Sequence, residues 1–283
     1  MTTIFATLAG GSATSTSLAK PDDTPAPSDW MLLRSELEDG LSIHYVRSVY
    51  QNGETVLRML YPERMPKDPR VVFLLPVEPQ LQSRFGDGMT TAKRLRLHEK
   101  HNWVIVAPTF SAWPWYADHP TDAALRQETY MMRVAVPLTT HVHPHRPEQR
   151  GLLGFSKSGW GAWSLLLRQP DQFAAASAWD APMMMEQPKF GMDKIVGDRK
   201  TFEAYRIPNL LRTHAEAVRS RERLALLGYG NFRADHVRCH ALLDELKIPH
   251  AYADGPKQRH HWDGGWLPAA AEALDRLMDG ERS

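Results

Sequence analysis

A serine, an aspartate and a histidine that lie far apart in this sequence are of the types that together perform nucleophilic catalysis. Ser156 follows the apolar run "GLLGF", Asp235 comes a few residues after "LALLGYG", and His260 follows "HAYADGPKQR". A serine hydroxyl becomes a useful nucleophile only when a base takes its proton and a carboxylate orients that base. The chain order serine, aspartate, histidine therefore predicts Ser156 as the nucleophile, an aspartate such as Asp235 as the acid, and His260 or its neighbour as the base.

Two neighbouring residues compete for these roles. Asp180 directly follows the apolar run "AAASAW" and is the alternative acid, although it could also cap a helix or form a pocket wall. His261 adjoins His260 and is the alternative base. We favour Asp235 as the acid because it lies beyond the penultimate predicted strand, which is where the acid usually sits when the order is serine, acid, histidine.

The stretch "GFSKSGWG" around Ser156 departs by one residue from the pattern G-x-S-x-G of a sharp strand-to-helix turn. Gly154 occupies the first place, but the fifth place is Ser158, and the next glycine is Gly159. A serine is small enough to fit where strand and helix approach closely. The alternative is that Ser156 only caps a helix, since serine is a favoured N-cap residue.

The elements that must position these residues alternate between strand and helix. Residues 41–50 and 54–61 are rich in β-formers and flank Asn52-Gly53, which predicts a hairpin. The run "VVFLL", residues 71–75, is apolar throughout, as expected for a strand that is covered on both faces. From there to the end, apolar strands alternate with helical patterns. We therefore predict an α/β fold with a mostly parallel sheet, an antiparallel N-terminal hairpin and helices on both faces.

The composition indicates one globular domain. The chain has 283 residues, 42% of them hydrophobic, which is ample for one core. Residues 1–29, rich in Ser, Thr, Pro and Gly, are predicted to form a flexible tail. Residues 30–283 are predicted to form a single domain, in which the irregular, Met-rich residues 181–221 are a candidate cap insertion.

The charge balance, the apolar runs and the cysteine count argue against a nucleic-acid partner, a membrane span and an intrachain disulfide. Net charge is +1, without the clustered basic face of a nucleic-acid-binding protein. No apolar run approaches the roughly 20 residues that a membrane span needs. The single cysteine, Cys239, allows no intrachain disulfide and agrees with a reducing compartment. We expect a cytoplasmic protein, with export still open, and the sequence leaves its oligomeric state open.

The segment "GFSKSGWGAWSLLLRQPDQFAAASAWDAP" resembles the esterase D group of the α/β-hydrolases, in its turn around Ser156, its "RxPDxF" stretch and its "A-x-S-A" strand. The C-terminal "HHWDGGW" is similar to the His-x-Trp element of that group, with His260 as the base and Trp262 as the tryptophan. The resemblance implies a serine hydrolase acting on carboxylic esters of small molecules or polymers. Acyl transfer to an alcohol, or a binding protein that has lost activity, are the alternatives.

One departure from this group concerns the oxyanion hole, which needs two N–H donors aimed at the developing charge. Lys157 N–H is expected to be one donor. The group usually has a "HG"-type stretch after the relevant strand, but here "LLPVEP" follows, and Pro76 has no N–H. The second donor is therefore predicted to be the N–H of Val77 or Glu78.

Aromatic residues beside the predicted strand ends are candidates for substrate binding. Trp113, Trp115 and Tyr116 follow one strand end, and Trp160 follows Ser156 in the next helix. Aromatic side chains there could bind an apolar or aromatic part of the substrate, or could simply pack a loop onto the domain. Asp180 is expected in the same wall. We expect no metal and no organic cofactor: the alternating His141, His143 and His145 have no evident carboxylate or cysteine partner.

Overall fold

The computed structural model describes residues 29–280, so the predicted tail, residues 1–29, lies outside the described part except for Asp29. A sheet runs through the described chain. Its strands are β1 (Trp30–Glu38), β2 (Leu41–Ser48), β3 (Glu54–Leu60), β4 (Arg70–Leu75), β5 (Trp103–Pro108), β6 (Arg150–Phe155), β7 (Ala175–Trp179), β8 (Leu224–Tyr229) and β9 (His250–Lys257).

The strand order is β1-β2-β3-β5-β4-β6-β7-β8-β9. The pairs β1–β2, β2–β3 and β3–β5 are antiparallel. All the remaining neighbours in this order, from β5 to β9, are parallel. The mostly parallel sheet with an antiparallel start is therefore confirmed. The hairpin at Asn52-Gly53 forms between β2 and β3 as predicted, but β1 precedes it as an additional edge strand.

Helices surround the sheet on both faces. They are α1 (Gly88–Arg94), α2 (Leu97–Lys100), α3 (Gln127–Tyr130), α4 (Val136–Val142), α5 (Lys157–Arg168), α6 (Asp193–Val196), α7 (Arg199–Tyr205), α8 (Ile207–Thr213), α9 (Ala215–Arg219), α10 (Arg233–Glu245) and α11 (Leu267–Asp279). A π-helical turn, Met131–Ala135, joins α3 to α4.

The core has two layers, one on each face of the sheet. Along β4, Phe73 packs into one layer and Leu74 into the other, because successive side chains of a strand point to opposite faces. Helix α5 covers the first face with Trp163 and Leu166, and α11 covers the second with Leu274. The apolar run of β4 is thus explained by burial on both sides.

Residues 181–221 form an irregular turn and the four short helices α6 to α9, between β7 and β8. Several of their side chains, including Ile195, Phe202 and Leu211, are buried in the same layer as α5. The segment is therefore anchored in the core of the first face. Its function as a cap remains a prediction.

None of the helices in residues 29–280 has the length and apolar character that crossing a membrane would require.

Candidate active site

Ser156 occupies a sharp turn between β6 and α5. Its backbone has φ 55 and ψ −131, a conformation that is strained for a residue with a side chain. Its N–H donates to the carbonyl of Trp179 at the end of β7 (3.1 Å), and its own carbonyl accepts from the N–H of Trp160 in the first turn of α5. These bonds hold the half-buried Ser156 at the carboxyl edge of the parallel strands.

The small residues around Ser156 are required by close contacts. A Cβ on Gly154 would lie 2.2 Å from the carbonyl oxygen of Ser158. Ser158, which replaces the expected glycine, is fully buried, and its hydroxyl donates to the carbonyl of Phe155 (2.8 Å) and accepts from the N–H of Phe155 (3.0 Å). The serine at this position therefore ties the first turn of α5 to the end of β6.

His260 is paired with Asp180. Its Nδ1 lies 2.5 Å from Oδ2 of Asp180, which directly follows β7 and is 1% exposed. The other oxygen of Asp180 accepts hydrogen bonds from the N–H groups of Asn231 (2.7 Å) and Phe232 (2.8 Å), in the turn after β8. The carboxylate is thus fixed between the ends of two neighbouring strands and holds the Nδ1 edge of the imidazole.

The pKa of Asp180 is the result of opposing effects. Burial alone would raise it, but the hydrogen bonds from His260 and from the backbone N–H groups of residues 230–232 outweigh that cost, so its pKa lies below the ordinary value. Asp180 therefore remains ionised at neutral pH and can stabilise a positive charge on His260.

Asp235, the acid predicted from the sequence, does not contact His260. It lies in the first turn of α10, where its carboxylate accepts from the N–H of Met184 (3.0 Å) and lines a separate cavity. The structure thus corrects the pairing: Asp180, the alternative, occupies the place expected of Asp235. Asp180 directly follows β7, whereas Asp235 lies in the first turn of α10, where its carboxylate is bonded to the segment after β7 at Met184.

The neighbouring histidine is also separated from the site. His261 pairs with Asp263 two residues later, while Trp262 is buried against Phe155 and Trp179. His260 is surrounded by the rings of Phe85, Phe155 and Phe232, with centroids 4.7–5.7 Å away. Because its Nδ1 faces Asp180, Nε2 is the ring nitrogen left for other partners.

Ser156 and His260 line one cavity of about 410 Å³. The rest of its lining is Arg84, Phe85, Trp113, Trp115, Lys157, Pro182, Phe190, Asn231 and Phe232. Among residues 29–280 the Ser156 hydroxyl forms no hydrogen bond, with His260 or any other group, although both residues line the same cavity. Catalytic hydrogen bonds of free enzymes commonly tighten only when substrate binds.

Two of the aromatic residues predicted to bind substrate line this cavity, and two do not. Trp113 and Trp115 are in its wall. Trp160 is 1% exposed and packs edge-on against Trp115 from behind. Tyr116 is fully buried, its ring packs on Gly161, and its hydroxyl donates to the carbonyl of Pro76 (2.6 Å). The rings of Trp160 and Tyr116 pack in the core. A sequence pattern of aromatic residues does not distinguish a core position from a position in a pocket wall.

Six residues of the lining were missed by sequence reasoning, namely Arg84, Phe85, Pro182, Phe190, Asn231 and Phe232. Phe232 does carry a signal, since it follows the end of β8 within three residues. Arg84 and Phe85 lie in the long loop after β4, and Phe190 lies in the irregular segment after β7. No regular pattern connects those loops to the cavity in the sequence.

The predicted second oxyanion donors lie close to Ser156 by strand register. Leu75 of β4 pairs with Gly154 of β6, so Val77 and Ser156 each lie two residues past this pair, after the ends of neighbouring strands. Among residues 29–280, the N–H groups of Lys157, Val77 and Glu78 donate to no other group. The side chains of Val77 and Glu78 line a small neighbouring cavity, and the Glu78 carboxylate is occupied by the N–H of Phe85 (3.1 Å).

The side chain of Lys157 enters the cavity beside the serine. Its Nζ lies 4.1 Å from the centroid of the Trp113 ring and 5.7 Å from that of Trp115, and the residue is 8% exposed. Burial lowers its pKa to about 8, with Glu78 acting in the opposite direction and Arg84 adding to the effect.

One group in the described part of the chain has the composition of a metal site. His240, Asp244 and His250 place their ligand atoms within 4.8 Å of one another. However, Nδ1 of His240 already lies in hydrogen-bonding contact with Nε2 of His250 (2.7 Å), and the cluster is remote from the cavity of Ser156. Of the three histidines at 141, 143 and 145, His145 is engaged by the carbonyl of His143 and the guanidinium of Arg150, whereas the buried Nε2 of His143 has no hydrogen-bond partner among residues 29–280.

Three of the solved structures to which this chain is similar are hydrolases by their names. A ferulic acid esterase is 18% identical, with 84% of this chain and 97% of that chain covered and a TM-score of 0.66. An S-formylglutathione hydrolase from Agrobacterium tumefaciens is 16% identical (86% and 99% covered, TM-score 0.64). A fluorophosphonate-binding serine hydrolase from Staphylococcus aureus is 16% identical (89% and 99% covered, TM-score 0.62).

No protein-family model matches this sequence, and no curated protein matches it significantly. At these levels of identity the structural likeness concerns the backbone. Together with the strand order and the helices on both faces, it shows that the chain has the α/β-hydrolase fold.

Proposed function

We propose that the protein is a serine hydrolase that cleaves carboxylic esters, with Ser156, His260 and Asp180 as its catalytic triad. The observation that carries this proposal is that His260, which lines the same cavity as the strained Ser156, is paired with a buried, hydrogen-bonded Asp180. The likeness to esterases and other serine hydrolases supports the same reaction class.

In the first step, Nε2 of His260 takes the proton of the Ser156 hydroxyl while the Ser156 oxygen attacks the ester carbonyl carbon. Asp180 orients the imidazole through Nδ1 and stabilises the imidazolium that forms. The carbonyl oxygen becomes an oxyanion, which the N–H of Lys157 and an N–H of Val77 or Glu78 would hold. The strained backbone of Ser156 suits a nucleophile elbow, since it presents the hydroxyl away from the strand.

Collapse of this intermediate breaks the bond to the alcohol oxygen, and the imidazolium returns its proton to the departing alcohol. The acyl group remains as an ester on Ser156. Water then attacks that ester with His260 again as base, which releases the carboxylic acid and restores the serine. No further reactant is required beyond ester and water.

The test of this function is the Ser156→Ala variant, assayed with p-nitrophenyl acetate together with a fluorophosphonate probe that labels active serines. We expect turnover to fall by several orders of magnitude and labelling to disappear. Equal turnover by wild type and variant would refute the assignment. A wild-type chain that neither turns over the ester nor reacts with the probe would instead indicate a binding protein on this fold.

A further inference from the structure

The cavity of Ser156 contains two cations and no acidic residue. Lys157 and Arg84 line it, and no Asp or Glu is found among the lining residues of the described chain. Within residues 29–280, neither the Lys157 ammonium nor the Arg84 guanidinium forms a hydrogen bond or an ion pair. The carboxylate of Glu78 is close enough to favour the charged form of Lys157, but it forms no ion pair with it, lies outside the lining and accepts from the N–H of Phe85.

A buried ammonium without an acceptor is unusual. Charged side chains that are largely removed from water are normally paired, since desolvation without compensation is costly. Lys157 is 8% exposed, and its contacts are the faces of Trp113 and Trp115, which attract a cation without providing a hydrogen-bond acceptor. The three N–H donors of the ammonium are therefore available to a hydrogen-bond acceptor that enters the cavity.

The rest of the cavity wall is apolar and largely aromatic. Phe85, Trp113, Trp115 and Phe232 form the sides, and the exposed ring of Phe190 packs edge-on against Phe232 at the rim. Such walls bind flat or apolar groups. The cavity therefore combines an apolar surface with a positive pole directly beside the nucleophile.

We propose that this cavity selects esters that carry a second, anionic group, a carboxylate held by Lys157 and Arg84, on an aromatic or apolar body. The inference rests on the proposed function, because it names the substrate class of the same site. Lys157 would act through two groups at once. Its backbone N–H would hold the oxyanion, and its side-chain ammonium would hold the substrate carboxylate. Charge-assisted hydrogen bonds of this kind are the stronger ones in proteins.

The carboxylate can belong to the acyl part or to the alcohol part of the ester, and two pairs of substrates distinguish these. The acyl pair is the mono-p-nitrophenyl ester of adipic acid and the p-nitrophenyl ester of adipamic acid. The alcohol pair is the acetyl ester of p-hydroxyphenylacetate and that of its primary amide. In each pair the two compounds differ by a carboxylate against a neutral amide of the same shape.

The measured quantity is the ratio of kcat/KM for the anionic and the neutral ester of a pair. For wild type we expect a ratio of at least about tenfold in one pair, since hydrogen bonds to charged groups are among the stronger polar contacts. Lys157→Met, which keeps the shape and removes the charge, should lower that ratio about tenfold, and Lys157→Arg should retain most of it. Arg84→Gln should lower it less, by about threefold, because Arg84 is exposed.

Lys67→Gln serves as the matched control, because it removes one exposed lysine near the amino end of β4, at the opposite edge of the sheet. It should leave the ratio unchanged. Each ratio is taken within one variant, so a loss of folded protein cancels. The pair that shows the preference identifies the part of the ester that carries the carboxylate.

The proposal is overturned if neutral and anionic esters are equally good in both pairs, or if Lys157→Met leaves the ratio unaltered. A binding measurement tests the proposal without turnover. By calorimetry, p-hydroxyphenylacetate should bind to wild type more tightly than its amide does, and Lys157→Met should abolish this difference in affinity. Equal binding of acid and amide would also overturn it. Failure of the proposed function would give a different result: Ser156→Ala would turn over esters as fast as wild type does.

Discussion

At the scale of single residues, we expect different effects on kcat from replacing the two candidate acids, Asp180 and Asp235. Asp180→Asn removes the charge that stabilises His260 as an imidazolium and favours the wrong tautomer, so we expect kcat to fall by about a thousandfold or more. Asp235→Asn should change kcat by no more than a few fold, since within residues 29–280 the Asp235 carboxylate is bonded to the N–H of Met184 and not to His260.

Both variants are compared with p-nitrophenyl acetate at pH 7.5 or so, about one pH unit above the ordinary pKa of histidine. Thermal unfolding of each variant serves as the control for structure. A large loss in Asp235→Asn with retained kcat in Asp180→Asn would return the acid to the position favoured by the sequence.

The residue scale also shows what the sequence could supply. The position of Asp180 directly after "AAASAW" was visible, as was the pair His260-His261. What decides between the candidates is the loop after β8, whose N–H groups at Asn231 and Phe232 turn toward Asp180. That convergence joins residues about fifty positions apart and leaves no local pattern.

Lys157 gives the proposed selection a pH dependence. Since burial lowers its pKa to about 8, the ammonium is charged below that pH and neutral above it. We therefore expect the preference for an anionic ester over its neutral amide twin to decline as pH rises through about 8. Lys157 is also influenced by Glu78 and Arg84, while His260 lies in the same cavity.

The ratio of kcat/KM for the two esters is the appropriate readout from pH 6 to about pH 10, since kcat/KM reports groups of the free enzyme. Ionisation of His260 affects both esters alike and cancels. Lys157→Arg, whose guanidinium remains charged, should show a ratio that is flat with pH. A decline of equal size in Lys157→Arg would assign the effect to another group.

At the scale of elements, Ser158 is the residue that fixes the turn between β6 and α5. Ser158→Ala removes both hydrogen bonds with Phe155 in a fully buried place, so we expect a loss of about 1–3 kcal/mol of stability. Fluorophosphonate labelling of Ser156 should slow as the turn loosens.

Ser164→Ala is the matched control, because Ser164 is equally buried in the same helix and its hydroxyl has no hydrogen-bond partner in the described part of the chain. It should be neutral or slightly stabilising in thermal unfolding. If both variants unfolded at the same temperature, the hydroxyl of Ser158 would have no special role in the turn.

Element prediction succeeded where a strand or helix has a clear local signal. The hairpin at Asn52-Gly53 and the buried strand β4 follow from turn chemistry and from continuous apolar runs. Strand β1 was missed because it is an edge strand whose side chains are mostly exposed, so its composition does not alternate clearly. Tyr116 and Trp160 illustrate the opposite error: their types suggested a pocket, and packing against Gly161 and Trp115 placed them in the core.

At the scale of the whole molecule, the segment 181–221 is joined to the rest by a buried polar cluster. Glu128, 5% exposed, accepts from Arg168 of α5 (2.9 Å), from Gln169 (2.7 Å) and from the hydroxyl of Tyr205 at the end of α7 (2.7 Å). The Arg168 guanidinium also lies over the ring of Tyr205, 4.1 Å from its centroid. The sequence could not reveal this cluster, since its members come from three distant segments.

We expect Glu128→Gln to lower the stability of the whole domain by about 3 kcal/mol, because it leaves Arg168 without its charge partner in a mostly buried place. Tyr205→Phe, which removes one hydrogen bond, should cost about 1 kcal/mol. Both variants should unfold in a single transition, since Phe202 and Leu211 share a core layer with α5. Calorimetry checks this directly. A separate early transition, with hydrogen exchange accelerated only in residues 181–221, would instead identify that segment as a cap that opens independently of the sheet.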